Sequence, residues 1–388
     1  MIFQYPKLAS EDKQVLEMIR SLRRDLRHQV NVNPVRWDGF LRRNTFARNL
    51  QGSNSIEGIN ADLAEAVAII DDVKPETLEE ETQKALIGYR TAMTYILRLH
   101  EDPHAHINAQ LIRSLHFMML NYDMTTLPGQ WRLGAIRVVH EPTGKTVYDG
   151  PEASLVPNLV EELAEQIDSG QHVESGTVLA AVAHLNLAMI HPFRDGNGRM
   201  ARALQTLVLA RNGVISPVFC SIEEWLGRNT DAYYKILGEV GQGSWHPENN
   251  ALPWVRFCLI AHYQQAATIV KRNAIFGRTW EEIEKLRKAH GLPERVELAL
   301  MDATFDYKVR NARYREENDI SDVVASRDLK ELSDLGLLVP VGEKRGRYYV
   351  AGKPLKKIGE RVSDNTRAPN PYDILKGRGD SGELSLAV

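Results

Sequence analysis

The sequence predicts a mainly α-helical fold, interrupted by one β-hairpin and followed by a smaller C-terminal domain. Apolar residues recur at spacings of three and four through long segments, which is the period of amphipathic helices. Residues 134–151 instead alternate apolar and polar residues around the turn Pro142-Thr143-Gly144-Lys145, as the strands of a hairpin do. With 388 residues, 43% of them hydrophobic, the chain is long enough for two or three domains.

The helical segments alone indicate a bundle in which helices pack against helices. Those with the clearest periodicity are residues 14–30, 81–100, 108–120, 154–167 and 177–190. The hairpin has two interpretations, a surface hairpin without a role and a flap over a site, and an isolated hairpin is not explained by core formation alone.

A different pattern begins after Gly291. A helix is predicted to end at Asp334-Leu335-Gly336, and the short strands 337–341 and 347–351 flank a charged turn. This order outlines a winged-helix domain. The tail from Lys353 is rich in Pro, Gly, Asp and Ser, so we expect it to be extended or disordered. The predicted regions are an N-terminal helical region 1–100, a catalytic domain 101–275, a winged-helix domain 276–352 and the tail 353–388.

Charge and cysteine content limit the class of protein. Lys and Arg total 48 against 51 for Asp and Glu, a net charge of -3, which excludes a nucleic-acid coat or a polybasic membrane anchor. Cys220 and Cys258 each lie in an apolar run, so we expect two core thiols and no disulfide framework or cysteine zinc site. The N-terminus lacks a signal-peptide pattern and no segment is long enough to span a membrane, so a cytoplasmic protein is predicted.

The segment from His191 to Arg202, HPFRDGNGRMAR, carries the most information about chemistry. Pro192 and the run Gly196-Asn197-Gly198 interrupt two apolar helices, so the chain must form a loop and restart a helix near Gly198. A helix N-terminus that follows glycines offers free N–H groups, a favourable dipole and close approach, which together bind anions such as phosphate. Arg199 and Arg202 are three apart and project from one side of this helix.

Two further side chains of the loop suggest a reaction. Asp195 supplies one carboxylate beside the predicted phosphate site, as Mg²⁺ often requires when phosphate oxygens complete its shell. His191 titrates near neutral pH and suits a general base for a hydroxyl nucleophile. A histidine at the end of an apolar helix is more often a core residue, but the neighbouring carboxylate, glycines and arginines favour the catalytic interpretation.

These residues match the signature of the Fic family, H-x-F-x-[D/E]-G-N-G-R-x-x-R, at every defined position. The signature is long and specific, and the resemblance extends from about Asn31 to Ala267. It implies a Fic-type helical bundle with a β-hairpin flap that transfers AMP from Mg-ATP to a Ser, Thr or Tyr hydroxyl of a protein. It also implies site roles: the base His191, the Mg²⁺ ligand Asp195, the phosphate-site residues Gly196, Asn197, Gly198, Arg199 and Arg202, and the loop anchor Phe193.

The same resemblance extends to other segments. Residues 136–147 resemble the family's flap, which binds an extended target segment by strand addition. The stretch 224–234 resembles the one in which Fic proteins place an Asn and a Tyr near the nucleotide base and ribose, which implies those roles for Asn229 and Tyr233. A helix with an aromatic core face is the alternative there.

A second motif, Ser53-Asn54-Ser55-Ile56-Glu57-Gly58, precedes the loop by more than a hundred residues. Ser53 and Glu57 are four apart and share a helical face, and Gly58 can end that helix. Alone, this would be an ordinary helix end. In a Fic protein it resembles the inhibitory pattern [S/T]-x-x-x-E-[G/N], which implies that Glu57 pairs with Arg202 and occupies the place of the ATP γ-phosphate.

Other functions stay open from the sequence. With Glu57 orienting water, the same site could remove AMP from a modified protein, and some Fic proteins transfer other phosphate-containing groups. A zinc hydrolase built on His184 and His191 is disfavoured because the two are seven apart without an HExxH pattern. The predicted partners are ATP, a target protein and a second copy of the chain.

A DNA-binding regulator with a ligand-sensing Fic body is a further alternative. The candidate recognition helix 326–334 mixes charges of both signs, and the wing contributes only Lys344, Arg345 and Arg347. Protein contact or dimerisation is therefore favoured over DNA binding.

Overall fold

The computed structural model describes residues 1–32, 35–75, 77–99, 101–102, 104–140, 145–169, 175–212, 217–343, 346–364 and 366–377. The helices are α1 (Ser10–Val32), α2 (Val35–Ser55), α3 (Leu63–Ile70), α4 (Glu80–Leu99), α5 (Ala109–Leu120), α6 (Val156–Asp168), α7 (Gly176–Ile190), α8 (Asn197–Arg211), α9 (Pro217–Cys220), α10 (Glu223–Arg228), α11 (Thr230–Gly241), α12 (Leu252–Ala289), α13 (Glu297–Thr304), α14 (Asn311–Asn318), α15 (Asp322–Asp334), α16 (Lys353–Val362) and α17 (Pro371–Leu375). The strands are β1 (Arg137–His140), β2 (Lys145–Asp149), β3 (Leu338–Val341) and β4 (Tyr348–Ala351). The prediction of a mainly helical protein is confirmed. In the described part of the chain, no helix has both the length and the apolar character that crossing a membrane requires.

The chain divides into two compact units, and the division differs from the predicted one. One unit comprises residues 1–28, 44–268 and 368–388, and the other comprises residues 29–43 and 269–367. Most of the predicted N-terminal region therefore belongs to the same unit as the loop at 191–202. The physical reason is core packing, because side chains such as Phe3, Val15 and Ile19 are fully buried together with residues of α7 and α12.

The centre of the larger unit is the pair α7 and α8. Almost every residue of α7 is buried, including the polar His184 and Asn186, as expected for a helix that is apolar on all sides. Helices α4, α5 and α6 pack around this pair. Each predicted helical segment of this region coincides over most of its length with an observed helix. The central position of α7 and α8 fixes both ends of the connecting loop.

The predicted hairpin is present as an antiparallel pair, with Arg137 opposite Asp149 and Val138 opposite Tyr148. The register shifts between Val138 and Val139. Its predicted turn, residues 142–144, lies outside the described residues. The hydroxyl of Tyr148 donates to the carbonyl of Met189 in α7 at 2.8 Å, so the base of the hairpin is attached to the end of that helix.

The second unit contains the predicted helix end and strands. Helix α15 ends at Asp334, Gly336 follows with a φ of 68°, and β3 pairs with β4 in antiparallel register. Residues 344 and 345 of the connecting turn lie outside the described residues. The order of helices and strands is that of the winged-helix prediction, and the identity of the domain stays a prediction.

The prediction of an extended tail from Lys353 is wrong for most of the described part. Residues 353–362 form α16, in which Leu355, Ile358 and Val362 are buried. Their spacing of three and four creates a narrow apolar stripe despite the low apolar content. Residues 371–375 form α17, and the Tyr372 hydroxyl donates to Asp12 at 2.8 Å. Residue 365 and residues 378–388 lie outside the described residues.

Candidate active site

His191 occupies the turn that ends α7. Its φ of 50° and ψ of 59° place it in the left-handed region, and its N–H donates to the carbonyl of Leu187 at 3.0 Å. A left-handed residue after the last helical turn is a common helix end, and Pro192 cannot continue the helix. The local sequence therefore places the imidazole at the entrance of the loop.

Asn197 holds the loop in a closed shape. Its Oδ1 accepts from the N–H of Phe193 and its Nδ2 donates to the carbonyl of the same residue, both at 2.9 Å. Gly196 precedes α8 with a φ of 72°, and a Cβ there would lie 2.5 Å from Cδ1 of Leu120. A residue other than glycine is thus excluded at this position by both conformation and space.

Two residues that sequence reasoning missed support this loop from outside. His116 stacks on the ring of Phe193 at 3.6 Å, accepts from the N–H of Gly129 through Nδ1, and donates from Nε2 to the carbonyl of Asp195. Burial lowers the pKa of His116 to about 4, so the imidazole is neutral near pH 7.

Arg132 is the second missed residue. It is 5% exposed and donates from Nε to the carbonyl of His191 at 2.9 Å, while its backbone N–H donates to the carbonyl of Pro192. Its other nitrogens donate to the carbonyls of Gly134 and Pro151, at the base of the hairpin. Neither His116 nor Arg132 lies in a local motif, so no sequence signal would have singled them out.

The structure brings the second motif to this loop. Nη2 of Arg202 donates to Oε1 of Glu57 at 2.6 Å, and the guanidinium also binds Oγ and the carbonyl of Ser53. Helix α2 ends at Ser55, and Gly58 follows with a φ of 76°. Glu57 thus lies in the turn just after the helix. Arg202 is 1% exposed and Glu57 27%, so the pair lies at the edge of the interior.

The carboxylate of Glu57 lies at the start of α8. A Cβ on Gly198 would lie only 2.3 Å from Oε1 of Glu57 and 3.2 Å from Nη1 of Arg202. Gly198 is within the first turn of the helix, where free N–H groups and the helix dipole favour negative charge. The carboxylate therefore occupies the position that the sequence predicts for a phosphate.

Unused hydrogen-bond donors remain beside this carboxylate. Within the described residues, Nη1 of Arg202 and both Nε and Nη1 of Arg199 are buried without a hydrogen-bond partner. Nη2 of Arg199 is 3.5 Å from Oδ2 of Asp195, whose side chain is 54% exposed. Buried donors without partners are costly, and an anion with several oxygens would satisfy them. The residues present therefore fit a polyphosphate with a cation held by Asp195.

The imidazole of His191 is prepared to accept a proton. Its Nδ1 lies 3.1 Å from the carbonyl of Ala188. A carbonyl can only accept, so Nδ1 carries the hydrogen and Nε2 has a free lone pair. Burial lowers the pKa of His191, against the opposing effects of the Ala188 carbonyl and the Glu57 charge. The ring is thus neutral at pH 7, as a general base must be.

The downstream residues Asn229 and Tyr233 lie at the start of α11, and their place beside a nucleotide stays a prediction. Tyr233 is 1% exposed, its hydroxyl lies 3.0 Å from Nε2 of His184, and its ring centre lies 6.0 Å from the Arg202 guanidinium. Tyr234, which sequence reasoning missed, is 48% exposed and donates to the carbonyl of Ile56. Asn229 joins α10 to α11, and its Nδ2 donates to the carbonyl of Trp225.

Comparison with known proteins finds a matching family and several relatives. Residues 106–209 match the model of the Fic/DOC family. A protein adenylyltransferase fic-1 of Caenorhabditis briggsae is 28% identical over 252 residues, which are 62% of this chain and 45% of that protein. A protein adenylyltransferase Fic of Nematostella vectensis is 22% identical over 296 residues, 74% of this chain and 62% of that protein. The chain thus spans about half the length of the curated relatives it matches.

Solved structures share the fold. A Fic family protein from Desulfovibrio desulfuricans G20 matches with a TM-score of 0.58 at 20% identity, over 90% of this chain and 99% of that one. A fragment of Fic-1 from C. elegans matches with a TM-score of 0.53 at 22% identity, over 67% of this chain and 72% of that one. Residues 106–209 are therefore similar to the Fic/DOC family, and the curated relatives that the chain matches are named protein adenylyltransferases.

Proposed function

We propose that this protein is a protein adenylyltransferase that moves AMP from ATP onto a Ser, Thr or Tyr hydroxyl of another protein, and that Glu57 inhibits it. The observation that carries the proposal is the Glu57 carboxylate held by Arg202 over Gly198, at the start of α8. A carboxylate there, beside unpartnered donors of Arg199 and Arg202, supports a site built for phosphate.

The reaction assigns a separate task to each side of the loop. Nε2 of His191 accepts the proton of the target hydroxyl, and the hydroxyl oxygen forms a bond to the α-phosphorus of ATP. The bond from that phosphorus to the bridging oxygen breaks, and the electron pair leaves with pyrophosphate. The His191 proton then passes to solvent. The arginines bind the β- and γ-phosphates and align the leaving group with the attacking oxygen.

Mg²⁺ held by Asp195 and the phosphates would neutralise part of the charge on the leaving pyrophosphate. Asp195 suits this task because its carboxylate is exposed and adjoins Arg199 without being enclosed by it. His116 and Arg132 keep the loop backbone in place during these steps, through the carbonyls of Asp195 and His191.

The inhibitory role follows from position and charge. Oε1 of Glu57 engages Nη2 of Arg202, so an incoming γ-phosphate meets both a filled position and a like charge. ATP must then displace the carboxylate or bind with its phosphates shifted away from in-line attack. Loss of the carboxylate should release the activity.

The test is transfer of label from ATP by the Glu57→Gly variant. The variant is incubated with cell lysate and Mg-ATP labelled either at the α- or at the γ-phosphorus. Adenylylation predicts label from the α-position only and an adduct of about 329 Da, the mass of AMP less water, on Ser, Thr or Tyr. The matched control is Glu101→Gly, which removes an exposed glutamate just after α4. Label from the γ-position alone, or no label with Glu57→Gly, would contradict the proposal.

A further inference from the structure

Three buried side chains continue the hydrogen-bond network from Nε of Arg202. Nε of Arg202 lies 2.8 Å from Oγ of Ser53, and Oγ of Ser53 lies 2.9 Å from the hydroxyl of Tyr89. The hydroxyl of Tyr89 in turn donates to Oε1 of Glu223. The four residues come from α8, α2, α4 and α10, so they form a chain across the centre of the larger unit.

The hydrogen bonds of this network all run in one direction, from Arg202 through Ser53 and Tyr89 to Glu223. A guanidinium can only donate, so Oγ of Ser53 accepts from Arg202 and gives its own hydrogen to Tyr89. Tyr89 then gives its hydrogen to Glu223. Each hydroxyl accepts from the side of Arg202 and donates towards Glu223, so the hydrogen bonds are aligned and each one polarises the next. The sequence of bonds ends at Glu223 because a carboxyl oxygen can accept without passing a hydrogen on.

Water is excluded from the whole chain. Ser53 and Tyr89 are 0% exposed, and Arg202 and Glu223 are 1% exposed. Each member therefore depends on its neighbours, and the loss of one leaves another without a partner. Nη1 of Arg202, the nitrogen near Gly198, is not used by the chain. The network thus holds one edge of the guanidinium and leaves the other edge directed at the start of α8.

The carboxyl group of Glu223 is held at some cost to the fold. Burial raises its pKa to about 7, against the effects of Tyr89 and Arg202. Cys220, close by in sequence, is the other titratable group that interacts with it. Among the described residues, Oε2 of Glu223 has no hydrogen-bond partner. A core built for stability alone would favour an apolar side chain here, and retained buried carboxyls concentrate at functional sites.

We propose that Tyr89 and Glu223 are positioning residues that act through Ser53 to hold the Arg202 guanidinium in the orientation that binds the γ-phosphate. The proposal rests on the function proposed above, in which Arg202 binds that phosphate. Without the Tyr89 hydroxyl, Ser53 loses the acceptor that fixes its rotamer, and Nε of Arg202 loses a fixed partner. The guanidinium then has to be ordered when the nucleotide binds, which lowers affinity.

The effect should be confined to nucleotides that carry a γ-phosphate. We therefore compare an ATP analogue that cannot be cleaved between the α- and β-phosphorus with ADP, by calorimetric titration. Both are titrated into the wild type, into Glu57→Gly and into the double variant Glu57→Gly/Tyr89→Phe. Removing Glu57 first prevents its carboxylate from masking the change. We expect the double variant to bind the ATP analogue about three- to tenfold more weakly, the usual effect of one hydrogen bond, and ADP within about twofold.

Three further variants separate positioning from packing. In the Glu57→Gly background, Glu223→Leu removes the acceptor of the Tyr89 hydroxyl and should weaken binding of the ATP analogue about as much as Tyr89→Phe does. Glu223→Gln keeps an acceptor oxygen and should restore the affinity to within about twofold of the parent. Tyr314→Phe is the matched control, because Tyr314 is also buried and also donates to a buried carboxylate, that of Asp328 in the other unit. Tyr314→Phe should change neither the affinity for the ATP analogue nor that for ADP. Circular dichroism spectra and melting temperatures confirm that each variant is folded.

The outcomes distinguish the two proposals. If Glu57→Gly does not raise affinity over the wild type more for the ATP analogue than for ADP, the proposed inhibition by Glu57 is wrong. Suppose that Glu57→Gly raises affinity for the ATP analogue, but Tyr89→Phe lowers the affinities for the ATP analogue and ADP equally or leaves both unchanged. The positioning role is then wrong, and the hydrogen-bond network is only structural. A loss with Glu223→Gln as large as that with Tyr89→Phe would overturn the role of Glu223 as a hydrogen-bond acceptor.

Discussion

Oε1 of Glu57 accepts a 2.6 Å hydrogen bond from Nη2 of Arg202, and the same oxygen lies 2.3 Å from the position that a Cβ would take at Gly198. One atom therefore touches both parts of the predicted phosphate site, the cation and the glycine of the first helical turn. In the proposed function this relationship ties regulation to catalysis, because the site cannot hold the carboxylate and a γ-phosphate in the same place. The first two predictions test this contact, one by changing Glu57 and the other by changing Gly198.

Glu57→Gly should raise AMP transfer at least tenfold and raise affinity for ATP much more than for ADP, because only ATP places a phosphate where the carboxylate lies. Removing one partner of the pair also leaves Arg202 uncompensated, so the free energy of unfolding without nucleotide should fall, and ATP should restore part of it. Calorimetric titration, a radiolabelled transfer assay and thermal melts measure the three effects. Equal gains for ATP and ADP would point to general loosening of the helix.

Gly198→Ala, made in the active Glu57→Gly background, should lower transfer at least tenfold. The added Cβ would fill the space that Oε1 of Glu57 occupies in the wild type, where an oxygen lies 2.3 Å from the ideal Cβ position. A phosphate oxygen would meet the same obstacle, and a loss above about 1.4 kcal/mol corresponds to tenfold. The matched control is Gly238→Ala, in α11, where nothing lies within 4 Å of the added atom. Full activity of Gly198→Ala would show that no phosphate enters there.

His191→Ala should abolish transfer in the Glu57→Gly background while affinity for Mg-ATP stays within a few fold, because the base acts only when the hydroxyl attacks. General-base catalysis usually contributes about 10²–10⁴-fold. Since burial lowers the pKa of His191 below its ordinary value of about 6.5, the midpoint of the fall in activity on acidification should lie below that pH. Initial rates between pH 5 and 8 and a nucleotide titration provide the measurement. A variant that keeps more than a tenth of the parental rate would remove His191 from this role.

Asp195→Ala should lose transfer together with its dependence on Mg²⁺, because the exposed carboxylate beside Arg199 is the proposed ligand. Transfer is measured across a Mg²⁺ titration, with binding of ATP followed in parallel. Asp231→Ala, an acidic residue in the first turn of α11, serves as the control for loss of one negative charge. An unchanged Mg²⁺ titration for Asp195→Ala would refute the assignment.

The sequence was most informative where the site is contiguous. The twelve residues from His191 to Arg202 carry a helix end, two glycines and three arginines in one segment, so their chemistry can be inferred before folding. Glu57 could be connected with Arg202 only through the family resemblance, since 145 positions separate them. The pairing itself depends on how α2 packs, which no local pattern encodes.

The support for the loop could not be predicted from the sequence. His116, Arg132, Tyr89 and Glu223 come from separate segments, and each looks like an ordinary helix or loop residue in its own surroundings. Their roles arise from tertiary packing that buries polar groups together. The prediction of an extended tail is wrong for a local reason. Three apolar residues at helical spacing, Leu355, Ile358 and Val362, form a helix in a segment whose composition is otherwise polar.

The buried carboxyl of Glu223 makes a prediction about stability that is independent of activity. Its pKa in the folded protein is about 7, against 4.5 for the free side chain. Between these two values the unfolded chain has released the proton and the folded chain has kept it, so the free energy of unfolding falls as the pH rises. The slope approaches about 1.4 kcal/mol per pH unit in that window and vanishes above about pH 7.5.

Glu223→Gln removes this titration. Relative to the variant, the wild type should therefore lose about 2–3 kcal/mol of stability between pH 5 and pH 7.5. Urea denaturation of both proteins at intervals of half a pH unit measures the difference. The buried histidines His116, His184 and His262 also titrate, but they contribute equally to both proteins and cancel in the comparison. For Glu101→Gln, at an exposed position, the free energy of unfolding should change with pH as it does in the wild type. A constant difference between wild type and Glu223→Gln would mean that Glu223 ionises normally in the folded protein, and that the chain through Tyr89 ends on a carboxylate at every pH above 5.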